Sequence, residues 1–262
     1  MVEVAERLIE ERIEIDSASL VLLKGGSGKP LLIIHDELGF PGWMGWNDAL
    51  APTREQLIPL QPGFGRSDRI EWLRDYRDLA THYARLVRKL GGPIDVIGFS
   101  AGAYIAAEVA AIDPGLFDKI VLVGPLGVRP TKGQIYDFLA VTVRTHVAAT
   151  VSKQDAPEFS KIYGGKMDSD QFLLFEFARA ETSRLGWEPF MFDPSLPHFL
   201  PGVPNPTLII RGSDDIVCPE GCVDVYAKAL PNARVEVIDG VGHRPEIEAP
   251  ETFVSLVQNF LK

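Results

Sequence analysis

Residues 94–112, IDVIGFSAGAYIAAEVAAI, join two apolar runs of different character through a single serine. The first six residues form a short β-branched run of the kind a fully buried strand uses. The alanine-rich residues after Ser100 predict a helix stopped at Asp113-Pro114. A buried strand that passes directly into a buried helix needs cover on several sides, and a layered α/β domain supplies it. The join must also be sharp. Gly98 and Gly102 stand two residues to either side of Ser100, the pattern G-x-S-x-G. Side chains at those two positions would collide across the bend. The bend in turn holds the serine in a strained conformation and projects its hydroxyl beside a helix N-terminus.

The same alternation recurs along the chain. ASLVLL and PLLIIH read as two strands, and the intervening KGGSGK predicts a hairpin between them. From Asp75 the period changes: Tyr76, Leu79, Ala80, Tyr83, Leu86, Val87 and Leu90 fall on one helical face, ended by Gly91-Gly92-Pro93. KIVLVG is the next strand. The last quarter then runs strand, helix, strand, helix through PTLIIRG, EGCVDVYAKAL, ARVEVID and PETFVSLVQNFLK. Strands that alternate with helices imply parallel crossover units and a mostly parallel, doubly wound sheet with helices on both faces.

Between Pro125 and Pro206 the rhythm breaks. Phe138, Phe159, Phe172, Phe175, Phe177, Trp187, Phe190, Phe192 and Phe199 lie there, mostly at helix-like spacing. This predicts a helical cap insertion over residues 126–205 on a core formed by residues 1–125 and 206–262. Most of the aromatics are expected to be the insertion's own core.

Several function classes are disfavoured. With 36 acidic and 26 basic residues the net charge is −10, and no Lys/Arg cluster offers a groove for nucleic acid. Only Cys218 and Cys222 are present, too few for a disulfide framework, and their C-x-x-x-C spacing lacks further zinc ligands. The glycines of KGGSGK do not have phosphate-loop spacing. No metal or cofactor is expected. The opening MVEVAERLIEERIEID is charged rather than apolar, and no stretch reaches the length of a membrane span. The expected setting is the cytoplasm, as a monomer or homodimer that acts on a small molecule without a membrane partner.

A serine hydroxyl needs a base to take its proton and an acid to orient that base. His243 sits in a glycine-bearing loop straight after the strand ARVEVID, which returns it to the sheet edge of Ser100; His35, also after a strand, is its rival. His82 lies within an amphipathic helix. His146 and His198 lie in the insertion and could touch substrate, though a structural role is the expectation for each. The acid should end another strand, and both Asp214 and Asp215 follow PTLIIRG directly.

Taken in order, PGFGRSD (residues 62–68), GFSAG, GSDDIVCP and GHRPEIEAPETF resemble the motifs of the α/β-hydrolase family, particularly its capped esterases and carbon–carbon bond hydrolases. The resemblance implies that Ser100 is the nucleophile, His243 the general base and Asp215, rather than Asp214, the orienting acid. It also implies that the N–H groups of Glu37 and Ala101 form the oxyanion hole, each worth about 3–4 kcal/mol when well placed. One departure is conspicuous: His35-Asp36-Glu37-Leu38-Gly39 stands where the family usually has His-Gly. Carboxylates there would oppose an oxyanion, so both are expected to point outward or to pair with a cation. Gln61, where an acid is common, is a milder departure. Trp43, Trp46, Phe99 and His35, with aromatics of the cap, are expected to line a mostly apolar substrate cleft.

The resulting expectation is a serine hydrolase of carboxylic esters that needs no cofactor. Alternatives are a hydrolase of a carbon–carbon bond in a diketone or dienoic substrate, a cofactor-independent oxygenase or lyase, and a ligand receptor on the same fold.

Overall fold

A computed structural model describes residues 8–159 and 169–262. Among these, eight strands form one sheet in the order β1-β2-β4-β3-β5-β6-β7-β8. They are β1 Ile9–Ile15, β2 Ala18–Gly25, β3 Lys29–Ile34, β4 Arg54–Pro59, β5 Ile94–Phe99, β6 Phe117–Val123, β7 Thr207–Gly212 and β8 Ala233–Ile238. From β4 to β8 every neighbouring pair is parallel. The antiparallel pairs β1·β2 and β2·β4 lie at one end. The helices that matter below are α1 Gly45–Leu50, α2 Tyr76–Lys89, α3 Ala101–Ile112, α4 Val143–Ala149, α5 Ser169–Gly186, α6 Glu220–Ala229 and α7 Pro250–Leu261.

Alternation along the strands divides the core in two. Leu32, Ile34, Val96, Ile120, Leu122 and Ile209 face one side, where α2, α3 and α6 pack. Leu31, Ile33, Ile97, Val121, Leu208 and Ile210 face the other, against α1 and α7. The period-2 pattern therefore has apolar residues at both phases, as a sheet covered on both faces requires. At the edge, IEERIEI of β1 carries charges along an exposed strand, which discourages pairing with another chain.

The structure corrects the expected hairpin. β2 and β3 are not paired; β4, which comes later in the chain, lies between them. The hairpin is instead β1–β2, turned by Asp16 and Ser17 at φ of 50° and 67°. The glycines of KGGSGK serve a close crossing. Cβ atoms on Gly26 and Gly28 would each lie 2.3 Å from a carbonyl oxygen, of Arg54 and Thr53 respectively. The segment is held there by Ser27 N–H on the Ala51 carbonyl (2.8 Å) and Lys29 N–H on that of Thr53 (3.2 Å).

α4 and α5 lie between β6 and β7. Of the aromatics of this region, Phe138, Phe159 and Phe175 are buried and Phe190 and Phe192 half-buried, whereas Phe172, Phe177, Trp187 and Phe199 are exposed. Among the described residues no helix is long and apolar enough to cross a membrane.

At the amino ends of the parallel strands, Asp95 is fully buried beneath three cationic or N–H donors. Arg54 Nη1 is 2.5 Å and Lys29 Nζ 3.1 Å from Oδ2, and the Lys119 N–H donates to Oδ1 at 3.2 Å. Arg54 also donates to the carbonyl of Leu261 at the end of α7. Removing one partner of a buried pair strands the other charge. We therefore expect Asp95→Ala to lower stability by about 3–5 kcal/mol in urea unfolding, and Asp95→Ala/Arg54→Met to lower it less than Asp95→Ala alone.

Candidate active site

Ser100 occupies the turn between β5 and α3 at φ 51° and ψ −113°, a conformation that L-residues avoid. The bend is enforced by what it presses against. A Cβ on Gly98 would lie 2.5 Å from the Gly102 carbonyl oxygen, and one on Gly102 would lie 2.2 Å from that of Ile34. Only glycine fits either position. Ser100 is 2% exposed.

The loop after β7 holds Asp215 buried. Its Oδ1 accepts the Val217 and Cys218 N–H groups, both at 2.8 Å, and its Oδ2 lies 2.8 Å from His243 Nδ1. Asp214 is exposed and takes the Ser213 hydroxyl instead. The fold itself thus separates the two adjacent acids. Burial pulls the His243 pKa down, but the charge and hydrogen bond of Asp215, aided by Glu37, outweigh it, and the net shift is upward from 6.5. The Nδ1 partner leaves Nε2 to act as the exchangeable nitrogen, and Nε2 and Ser100 Oγ are both buried without a hydrogen-bond partner among the described residues.

The rival histidine has a different task. His35 Nδ1 faces the Asp36 carbonyl at 2.9 Å, and its Nε2 accepts the Gln61 N–H at 3.0 Å. The Gln61 side chain donates to the His35 carbonyl at 2.8 Å, which an acid at that position could not do when ionised. His35 thereby braces the loop after β3 against the loop after β4. Of the other residues expected to line the cleft, Trp46 and Phe99 pack on each other (ring centroids 5.4 Å apart) and on Phe253. Trp43 donates its indole N–H to Asp48 at 2.7 Å. His35, Trp46 and Phe99 border a cavity of about 20 Å³ together with Asp36, Arg244 and Glu246.

The two unusual carboxylates part company. Asp36 Oδ1 accepts the Leu38 N–H at 2.8 Å, a side-chain turn that keeps the loop in shape without glycine. Its Oδ2 pairs with the buried guanidinium of Arg244, next in chain to His243. Glu37 turns inward. Its Oε1 is 2.9 Å from Nε2 of His146 on α4, and both side chains are fully buried. Burial raises the Glu37 pKa, but His146, His243 and the approaching Ser100 hydroxyl together more than reverse this, so the carboxylate stays ionised. The Glu37 and Ala101 N–H groups donate to no other described residue.

Sequence reasoning missed the residues that tie these loops to the region between β6 and β7. Glu248 accepts the Gly242 N–H at 2.7 Å on one oxygen and the Ser152 and Lys153 N–H groups at 2.9 and 2.8 Å on the other. Arg244 donates to Thr150 at 3.1 Å, and Thr182 on α5 donates to the Glu37 carbonyl at 3.1 Å. His146 on α4 is buried against Glu37, which it holds in place. The one local signal was HDEL itself, two acids where a dry site would demand cations.

A sequence profile of the alpha/beta hydrolase family matches residues 31–256. The chain belongs to the alpha/beta hydrolase family. Within it, the hydrolase is 29% identical over 254 residues to a poly(3-hydroxyalkanoate) depolymerase of Ectopseudomonas oleovorans, across 89% of this chain and 84% of the relative. It is 27% identical to a 2-hydroxymuconate semialdehyde hydrolase of Pseudomonas putida, across 90% and 88%. Among solved structures it resembles a membrane phospholipase A described as a bacterial virulence factor (TM-score 0.81, 25% identity, 97% of this chain and 86% of that one). The fold also matches a 2-hydroxy-6-oxo-6-phenylhexa-2,4-dienoate hydrolase from Rhodococcus sp. strain RHA1 (TM-score 0.80, 18% identity, 97% and 98%).

The Asp215–His243 contact has a spectroscopic consequence. In an NMR titration the His243 imidazole is expected to titrate above 6.5. In Asp215→Asn, where burial is no longer outweighed, it is expected to titrate below the value of the parent protein.

Proposed function

We propose that the protein is a serine hydrolase that cleaves a carboxylic ester of a small, mostly apolar substrate. The observation that carries this reading is the Asp215–His243 hydrogen bond, 2.8 Å long, in one buried site with a serine at a strained strand-to-helix turn. In this mechanism neutral His243 takes the Ser100 proton through Nε2 as the hydroxyl attacks the carbonyl carbon. Asp215 fixes the tautomer and stabilises the imidazolium that forms. The N–H groups of Glu37 and Ala101 receive the oxyanion against the opposing charge of the Glu37 carboxylate, which in turn favours the His243 imidazolium, and His243 returns the proton to the leaving alcohol. Water, activated by the same imidazole, then frees Ser100 and releases the acid. The family membership and the depolymerase relative, named for an ester polymer, support an ester as the bond attacked.

The second reading is hydrolysis of a carbon–carbon bond, supported by the relative named as a semialdehyde hydrolase and by one named for a hexa-2,4-dienoic acid. The ester is preferred because of Glu37. A buried carboxylate beside the nucleophile repels an acid substrate, and charges interact strongly where water is scarce.

Two outcomes test the proposal. Ser100→Ala or His243→Ala is expected to reduce ester hydrolysis by about 10⁴- to 10⁶-fold, and a fluorophosphonate should label the parent protein at Ser100 but not the Ser100→Ala variant. Full activity in Ser100→Ala would favour a lyase or oxygenase that needs no acyl-enzyme, and tight ligand binding without turnover would favour a receptor. The pH profile follows from the direction of the His243 shift. The base must be neutral and its pKa is raised above 6.5, so kcat/KM should fall as pH falls through a value above 6.5, with a plateau on the alkaline side.

A further inference from the structure

Four buried polar atoms of the site's residues have no hydrogen-bond partner among the described residues: Ser100 Oγ, His243 Nε2, Glu37 Oε2 and His146 Nδ1. The mechanism uses the first two. Glu37 Oε2 belongs to a side chain with no solvent exposure, whose other oxygen is engaged by His146. A buried charged acceptor without a donor is costly, more so than a neutral one. The Ser100 hydroxyl approaches this carboxylate and helps to hold its charge, without completing a hydrogen bond of full geometry. Once Ser100 turns its proton to His243 for attack, the Glu37 oxygen loses even that help. A donor carried by the molecule being cleaved would then satisfy it.

The position of Glu37 limits where that donor can sit. Its carboxylate neighbours the nucleophile, and its charge is felt by His243. A group that reaches it while the carbonyl carbon rests on Ser100 Oγ lies within a short chain of atoms of that carbon. It must be small and able to donate a hydrogen bond, since Ser100 and Glu37 are both buried. A hydroxyl meets these conditions. A carboxylate in the same place meets the charge of Glu37 directly, with His146 already engaged.

We propose that Glu37 is a specificity-determining residue whose free carboxylate oxygen accepts a hydrogen bond from a hydroxyl on the acyl chain of the substrate, close to the scissile carbonyl. The preferred substrates are thus neutral esters of hydroxy acids, and this rests on the ester hydrolase reading above. His146, brought by α4, is the positioning residue that holds the carboxylate in place, clamped in turn by rings of Phe138 (centroids 4.8 Å apart) and Tyr136 (6.1 Å). The substrate hydroxyl both satisfies Glu37 and releases Ser100 to His243, so the preference should appear in kcat as well as in KM.

The test compares para-nitrophenyl esters of 3-hydroxybutanoic acid, butanoic acid and, as an anionic probe, succinic acid on the full chain. The parent protein is expected to favour the hydroxy ester over the butanoate by about tenfold or more in kcat/KM, and to disfavour the succinate half-ester. Glu37→Met, which removes both acceptor and charge, should abolish the hydroxyl preference. Glu37→Gln, of the same shape with a neutral acceptor, should retain part of that preference while relieving the discrimination against succinate. Because each readout is a ratio between substrates, a general loss of rate in a variant does not enter it, and the parent ratios stand if Glu37→Met fails to fold. Equal rates on the hydroxy and plain esters, turnover of neither by a protein whose Ser100 is labelled by a fluorophosphonate, or a preference that survives in Glu37→Met would overturn the inference and leave the hydrolase reading intact. Absence of both ester turnover and Ser100 labelling would overturn that reading and this one with it.

Discussion

Where α3 begins, its backbone presses so closely on β3 that a Cβ on Gly102 would lie 2.2 Å from the Ile34 carbonyl oxygen and 2.4 Å from that of His35. This approach does two things at once. It forces the left-handed turn at Ser100, and it sets the start of the loop after β3 against the first turn of the helix that follows the serine. The side chain of Ser100, the N–H of Ala101 and the start of the HDEL loop are therefore held in one frame by β3, β5 and α3. The strain of the turn is sustained by burial on both faces of the sheet.

The second constraint is charge in a place with little water. The loop after β3 carries two carboxylates into the interior, and the structure answers each with a cation or a hydrogen-bonding histidine from elsewhere in the chain. Arg244 neutralises Asp36 and lies beside Glu246, whose carboxyl is pushed up to about 7 by burial despite that guanidinium. His146 answers Glu37. Each of these partners comes from a different segment, so electrostatics ties the histidine loop, the loop after β3 and the region between β6 and β7 into one unit. Glu248 and Thr182 reinforce the same joints with hydrogen bonds to backbone groups. A buried ion pair is weak support for stability by itself, but breaking one is expensive, and this makes the relative placement of the three segments hard to vary.

Much of the fold was legible in the sequence because its causes are local. The strand-to-helix join at Ser100, the amphipathic face of α2, and the alternation of the last quarter all rest on periodicity and on glycines flanking a bend. KGGSGK shows the limit. Its glycines announce a place where side chains are forbidden, but a turn and a close crossing both forbid them, and only the insertion of β4 between β2 and β3 distinguishes the two. The aromatics of residues 126–205 show another limit, since helical spacing marks an apolar face without saying what covers it.

By itself, the sequence determined a doubly wound α/β chain and a serine bent out of its sheet, with histidines and acids in the loops after other strands. Those features follow from near-neighbour sterics and hydrophobic period, which act within a few residues. Only the tertiary structure decided that His35 braces a loop and that Glu37 turns inward to His146, and it set beside His243 the Asp215 that the motif resemblance had already singled out. These outcomes depend on which buried charge can find a partner, and such partners stand more than a hundred residues apart in the case of Glu37 and His146. Desolvation makes the pairing compulsory, and the packing of the whole chain chooses the partner.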